Sequence, residues 1–382
     1  MKENCIDEKT FFFLLKVGLW EELPEYSGKS YNSNVNWTSV YQLAENQSVV
    51  GIMAAGIDLL KKNVPEVAIP KEVALRMISL MMLIEQRNVL MNDFVANIIE
   101  KLRAANVYAL LVKGQGIAQC YERPLWRACG DIDLLLSTDN YKKAKAILTP
   151  IATAIEPESL AVKHFGLTID NWTVELHGSL RSGALPKMDK LIDDVQNDVF
   201  NAGNVRSWMN GKTKIFIPSA NNDVIFIFTH ILKHFFHGGI GLRQLCDWCR
   251  LLWTYKDTIN HKLLMERIKR AGLTSEWKSF AAFAVEYLGM PVEAMPFYSS
   301  GKRWSKNASR IKDIIISTGD FGKNLHNCHK SGRGVFFNKI SSFKKYWDEF
   351  VSRFLIFPKD AILVWSWVLK VGTSTLLKRE RQ

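Results

Sequence analysis

At 382 residues, 47% hydrophobic and 23% charged, the chain is long enough to bury a substantial core and too apolar to be disordered. Six scattered cysteines fit a reduced compartment better than a secreted disulfide scaffold, and no run of about 18 uncharged apolar residues marks a membrane span. The net charge of +12 is concentrated, because residues 301–382 hold 17 Lys and Arg against 6 Asp and Glu and leave the rest near neutral.

A localised positive field of this kind suits an anionic partner, such as a membrane surface or a polyanion; a solvated basic region is the plainer account. The near-neutral first 300 residues offer no polynucleotide track, so nucleic acid is not favoured as a partner. The N-terminus leads into no signal-peptide core, and the expected location is cytoplasmic.

In chain order the pattern begins helical. Apolar residues recur at helical spacing over 48–60 and 72–102, with 64–70 as the loop between them. At Val107 the period changes: 108–112 reads as a short buried strand ending in a glycine turn, 115–121 as a helix and 123–130 as a loop. A second strand over 131–136 and a helix over 140–148 follow. Residues 164–169 and 172–177 pair as a hairpin about Asp170-Asn171, a dipeptide that tolerates the backbone angles of a tight turn. This alternation is a small α/β unit. Helices return after Gly178, interrupted by a candidate strand at 214–217; they are expected over 222–236, 242–255, 261–271 and 275–288. The Gly- and basic-rich stretch 299–339 has the weakest pattern, and aromatic helical segments over 343–377 close the chain. Four regions result: helical 1–104, an α/β core at 105–220, helical 221–298, and the basic 299–382.

The most informative segment is Gly130-Asp131-Ile132-Asp133-Leu134-Leu135-Leu136. Side chains alternate along a strand, so Asp131 and Asp133 share one face while Ile132 and Leu134 enter the core. Two carboxylates so close repel unless a cation sits between them, and Mg²⁺ is a hard ion that takes carboxylate and phosphate oxygens. Alone, such a pair is more often a set of surface acids. Its context changes that reading. Upstream, Leu110-Leu111-Val112-Lys113-Gly114-Gln115-Gly116 is a strand entering a glycine turn, where backbone N–H groups can approach phosphates. Downstream, Glu175 supplies a third acid in the hairpin strand.

These blocks carry a resemblance. Lys113-Gly114-Gln115-Gly116, then Tyr121-x-x-Pro124-x-x-Arg127-x-x-Gly130-Asp131-Ile132-Asp133-Leu134-Leu135, then Val174-Glu175-Leu176-His177, resemble the bacterial uncharacterised nucleotidyltransferase family of the DNA-polymerase-β-like superfamily. The resemblance implies an α+β fold, a minimal nucleotidyltransferase mixed sheet flanked by N-terminal and C-terminal helical regions. It implies transfer of an NMP from an NTP to a hydroxyl acceptor, with pyrophosphate release, on a two-ion Mg²⁺ site that could also take Mn²⁺. Asp131, Asp133 and Glu175 would hold metal, Glu175 also orienting or deprotonating the acceptor. Lys113, Gly114, Gln115, Gly116 and Arg127 would hold the nucleotide. The superfamily usually has Gly-Ser or Gly-Gly at the turn; here Gln115 follows Gly114. Sugars and surface-polysaccharide precursors are the acceptors that the resemblance suggests.

Several further residues are candidates for the surroundings of the site. His177 shares a face with Glu175. His230, His234 and His237 fall on one helical face with a spacing that zinc could use, though packing is the plainer role. Arg243 and Asp247, four apart, most simply pair along their own helix or support the cleft. Cys246 and Cys249 read as core. Tryptophans beside lysines at 340–382 suit either a helix docked on the core or one lying on the anionic inner face of a membrane. Two other function classes remain open: a non-catalytic nucleotide-binding or membrane-associated assembly protein, and a toxin-like tRNA nucleotidyltransferase.

Overall fold

The computed structural model describes residues 2–23, 35–160, 162–181, 183, 185–320 and 347–366, with the backbone alone for 2–5. Helices α1 (Lys2–Trp20), α2 (Trp37–Asn46), α3 (Val50–Asn63) and α4 (Lys71–Ala104) come first. Asn36 caps α2 by accepting from the Ser39 amide. No Gly or Pro interrupts the 34 residues of α4, which begins directly after Pro70. Helices α1 and α3 cross closely at glycines: a Cβ on Gly18 would lie 1.8 Å from the Ile52 carbonyl oxygen.

Strands β1 (Leu110–Val112), β2 (Ile132–Leu135), β3 (Ala154–Ile155), β4 (His164–Ile169), β5 (Trp172–His177), β6 (Val205–Asn210) and β7 (Thr213–Pro218) form one mixed sheet. Its order is β3-β4-β5-β2-β1-β7-β6. Strand β2 runs antiparallel to β1 and parallel to β5, and β4 pairs with β5 as the expected hairpin. The expected strand at 214–217 is β7, and its hairpin partner β6 is an element the sequence pattern did not reveal.

The period of two assigns the faces. Leu111, Ile132, Leu134, Val174 and Leu176 pack under α4 and α6 (Thr138–Leu148). Leu110, Val112 and Leu135 face the larger core, built largely by helices. Asp133, Glu175 and His177 share that second face. A short helix α5 (Gly114–Ala118) follows β1. The helices α7 (Pro186–Ala202), α8 (Ala220–Phe236), α9 (Leu242–Thr254), α10 (His261–Arg270), α11 (Thr274–Leu288) and α12 (Lys302–Thr318) complete the described core. The fold is α+β, a mixed sheet flanked by helical regions.

Helix α12 corrects the reading of 299–339 as patternless. Its Ala308, Ile311, Ile314 and Ile315 form a buried stripe that the surrounding basic residues conceal from a compositional reading. Residues 321–339 of that stretch lie outside the described residues. Residues 347–354 and 358–366 are helical. This segment docks on the core through Ile356, Phe357 and Val364, and Lys187 lies 2.7 Å from Asp360. Residues 367–382, with the basic end, lie outside the described residues. Among the described residues no helix is long and apolar enough to cross a membrane.

Candidate active site

Strand β1 ends at a strained residue. Lys113 has φ 58° and ψ −148°, a backbone conformation that non-glycine residues rarely hold and that costs on the order of 1–3 kcal/mol. Gly114 follows with φ 43°. The turn brings the Lys113 ammonium to 2.9 Å from Asp133 Oδ1. Burial lowers the ammonium's pKa, but the carboxylates of Asp133 and Asp131 outweigh it and hold it above the usual value.

Asp133 and Glu175 are register partners on the parallel strands β2 and β5. Asp131 precedes β2 on the same face. The three carboxyls are electrostatically unequal. Asp131 is pushed up, first by the neighbouring Asp133 charge and then by burial. Asp133 is 3% exposed, and burial raises its pKa; Lys113 and His177 more than reverse this and hold it down. Glu175 is likewise raised by burial and then brought well below its usual range by hydrogen bonds from His164 and His177. His177 Nε2 lies 2.8 Å from Asp133 Oδ1 and 3.3 Å from Glu175 Oε2. His164 Nε2 lies 3.1 Å from that same Glu175 oxygen.

These residues form one wall of a cleft of about 440 Å³. Helices α8 and α9 supply the opposite wall. Along α8, Phe226 and His230, four apart, are followed three and four positions later by Lys233 and His234, so all four share the cleft face. The His230 and His234 rings meet edge to face, with centroids 4.3 Å apart. Burial, then nearby lysines, lowers both imidazoles, His234 to about 4, which keeps both neutral near pH 7. Lys233 is exposed at the cleft, and its pKa is lowered by desolvation and then by the Lys113 charge.

Several sequence expectations change in detail. Lys113 and Gly114 line the cleft, but Gln115 turns away and donates to Asn88 Oδ1 at 2.9 Å. Gly116 packs inward, where a Cβ would meet Ile217 Cγ2 at 3.1 Å. Arg127 does reach the cleft but is committed to Asp247, with Nε 3.0 Å from Oδ1 and Nη2 paired to the second oxygen. Arg243 and Asp247 therefore do not pair along α9. Arg243 donates to the Ala128 carbonyl at 2.8 Å and lies 3.5 Å from Asp320. His237, just past the end of α8, leaves the cleft for a separate pocket beside Arg353 and Glu349, so it does not converge with His230 and His234. Cys246 and Cys249 are buried core thiols raised by desolvation.

His164 and Lys233 escaped the sequence reading. Signals for both existed. A two-residue turn at Asp170-Asn171 places His164 opposite His177, as observed. Lys233 follows His230 by three positions on the same helical face.

The donor types suit a hard divalent cation. Asp131, Asp133 and Glu175 all line the cleft, the repulsion between Asp131 and Asp133 is the kind a cation relieves, and the Lys113 ammonium, bonded to Asp133, already offsets part of their charge.

Neither a curated protein nor a solved structure matches the chain. A family model does, over residues 33–289, a span that contains the whole sheet and helices α2 to α11. The chain belongs to the uncharacterised nucleotidyltransferase family, and is an enzyme of the transferase class.

Proposed function

We propose that the protein transfers an NMP from an NTP to a hydroxyl acceptor, in the manner of the polymerase-β-like enzymes, with Mg²⁺ held by Asp131, Asp133 and Glu175. The observation that carries this reading is the register of Asp133 with Glu175 on adjacent strands, with Asp131 on the same face and the Lys113–Gly114 turn beside them. When bound, Mg²⁺ would neutralise phosphate charge and polarise the α-phosphorus.

The protein's own groups position the reactants. The Gly114 turn leaves room for a polyphosphate to lie against the backbone, and Lys233 and Arg243 face it across the cleft. An acceptor oxygen then attacks the α-phosphorus, a new P–O bond forms, the bond to pyrophosphate breaks and the hydroxyl proton is released. Glu175 is held ionised by its two imidazoles, which suits cation binding better than accepting that proton. Rate enhancement comes from orientation and fixed charge in a partly closed cleft. Sugars and surface-polysaccharide precursors are the acceptor class to try first.

The test is incubation with each α-labelled NTP, Mg²⁺ and fractionated cell extract. The expected result is label transfer with one NTP, absent in Asp131→Asn protein. Absence of both NTP–Mg²⁺ binding and transfer with every fraction would overturn the reading in favour of an assembly role.

A further inference from the structure

We infer that His164, Glu175 and His177 form a site for a borderline first-row divalent ion such as Zn²⁺ or Co²⁺, a histidine-containing site that does not use Asp131. The argument begins with strand register. His164 and His177 are directly paired across β4 and β5, so their rings stand on one face, with centroids 5.0 Å apart. Glu175 stands two residues before His177 on that face, opposite Gly166, whose vacant side-chain position is taken by the Glu156 carboxylate.

The donor atoms of the three side chains lie close together. The two Nε2 atoms lie 3.1 and 3.3 Å from the same oxygen, Glu175 Oε2, and the three donor atoms all fall within 4.8 Å of one another. For metal bonds of ~2.0–2.1 Å, the edge of a coordination tetrahedron is roughly 3.3–3.4 Å, close to both nitrogen–oxygen separations.

His177 Nε2 hydrogen-bonds Asp133 Oδ1 at 2.8 Å and also lies 3.3 Å from Glu175 Oε2. An ion that takes the His177 Nε2 lone pair would replace this hydrogen bond and bring Asp133, already held by Lys113, within reach as a further oxygen donor.

The donor chemistry selects the ion. Two imidazoles and one carboxylate are a donor set used by catalytic zinc, and imidazole favours the later first-row ions over Mg²⁺. His177 is nearly buried, whereas Glu175 and His164 are 25% and 28% exposed on the cleft side, so a coordination position faces the cleft. The site shares Glu175 with the proposed Mg²⁺ site but does not depend on NMP transfer.

The experiment uses the full chain without nucleotide, titrated with Co²⁺ and followed by visible absorption and calorimetry. The expected result is saturable binding with the absorption bands of a nitrogen-containing, low-coordinate site. His164→Gln retains an amide that can donate to Glu175 but is a poor ligand. It should weaken Co²⁺ binding by at least about 100-fold, the upper range seen on losing an outer partner, with the melting temperature unchanged. Asp131→Asn should leave Co²⁺ binding in place. Equal affinity in His164→Gln, or an equal loss in Asp131→Asn, would put the ion on the carboxylates and overturn the inference. Co²⁺ binding without any NMP transfer would leave it standing while the transfer reading fails.

Discussion

Arg127 and Asp247, 120 residues apart, are joined by a two-pronged buried ion pair that ties the loop before β2 to helix α9. Tyr121 adds a hydroxyl donated to Asp247 Oδ1 at 2.8 Å. Asn88 Nδ2 donates to the Leu125 and Arg127 carbonyls at 2.7 and 2.8 Å. The loop that delivers Asp131 is therefore clamped from both sides. Arg127 spends its charge on this clamp and retains little for a triphosphate.

Removing one member strands the other charge in the interior, at a cost of about 3–5 kcal/mol. Asp247→Asn and Arg127→Met should each lose stability on that scale in urea unfolding. The double variant should cost clearly less than the two losses added, because both break one interaction. Additive losses, or single losses under about 1 kcal/mol, would show that the pair does not hold the loop.

Asp131→Asn should move stability and activity in opposite directions. The Asp133 charge, then burial, raises the Asp131 pKa in the folded protein. The folded state thus binds a proton more readily than the unfolded chain, and stability falls as pH rises from the unfolded value through the raised one. Above that window the penalty is complete, and asparagine removes it; because Asp131 is exposed to solvent, screening keeps the gain small. Label transfer should fall at least about 100-fold. Mg²⁺ should raise the melting temperature of the wild type, EDTA should reverse this, and Asp131→Asn should respond to neither. A metal-free variant less stable than wild type at pH 8 would contradict the argument.

How far the sequence predicts this site follows the range of the interactions. Asp131, Asp133, Ile132 and Leu134 are legible because face alternation is a property of neighbouring residues. Glu175 is legible as an acid in a hairpin strand, but its register with Asp133 depends on β5 lying beside β2, which no local pattern states. The Arg127–Asp247 clamp is invisible for the same reason, and the nearer Arg243, at helical spacing from Asp247, is a misleading partner. Gln115 looked like a phosphate contact only while the position of Asn88 was unknown. Among the helices, α12 was concealed because its basic face dominates the composition, although its isoleucines keep helical spacing.

Lys233 should matter to the nucleotide more than to the fold. Lys113 is bonded to Asp133 and Arg127 to Asp247, whereas Lys233 is exposed on the cleft face of α8. Its pKa is lowered by burial and by Lys113, so an arriving polyphosphate would relieve an unfavourable charge. A charge-assisted hydrogen bond contributes about 1.5–3 kcal/mol, so Lys233→Met should raise KM for the NTP roughly 10–100-fold and leave the melting temperature equal or higher. An unchanged KM would remove Lys233 from the nucleotide site.

The imidazoles of α8 set an acid limit on the fold. His234 is held neutral, its pKa lowered to about 4 by burial first and then by Lys233 and Lys113, with Asp320 opposing and Arg243 reinforcing. The unfolded chain binds this proton near the ordinary histidine value of ~6.5. Between the two values the unfolded state holds more protons, so stability should fall as pH drops from ~6.5 towards about 4, by on the order of 2 kcal/mol. His234→Gln cannot titrate, and its urea-unfolding free energy should be flatter across that window than that of the wild type. His230 is lowered in the same direction by burial and by Lys113, and leaves part of the slope in the single variant. A slope in His234→Gln as steep as in the wild type would place the acid sensitivity elsewhere, and a wild-type slope of the opposite sign would mean that these rings are charged in the folded protein.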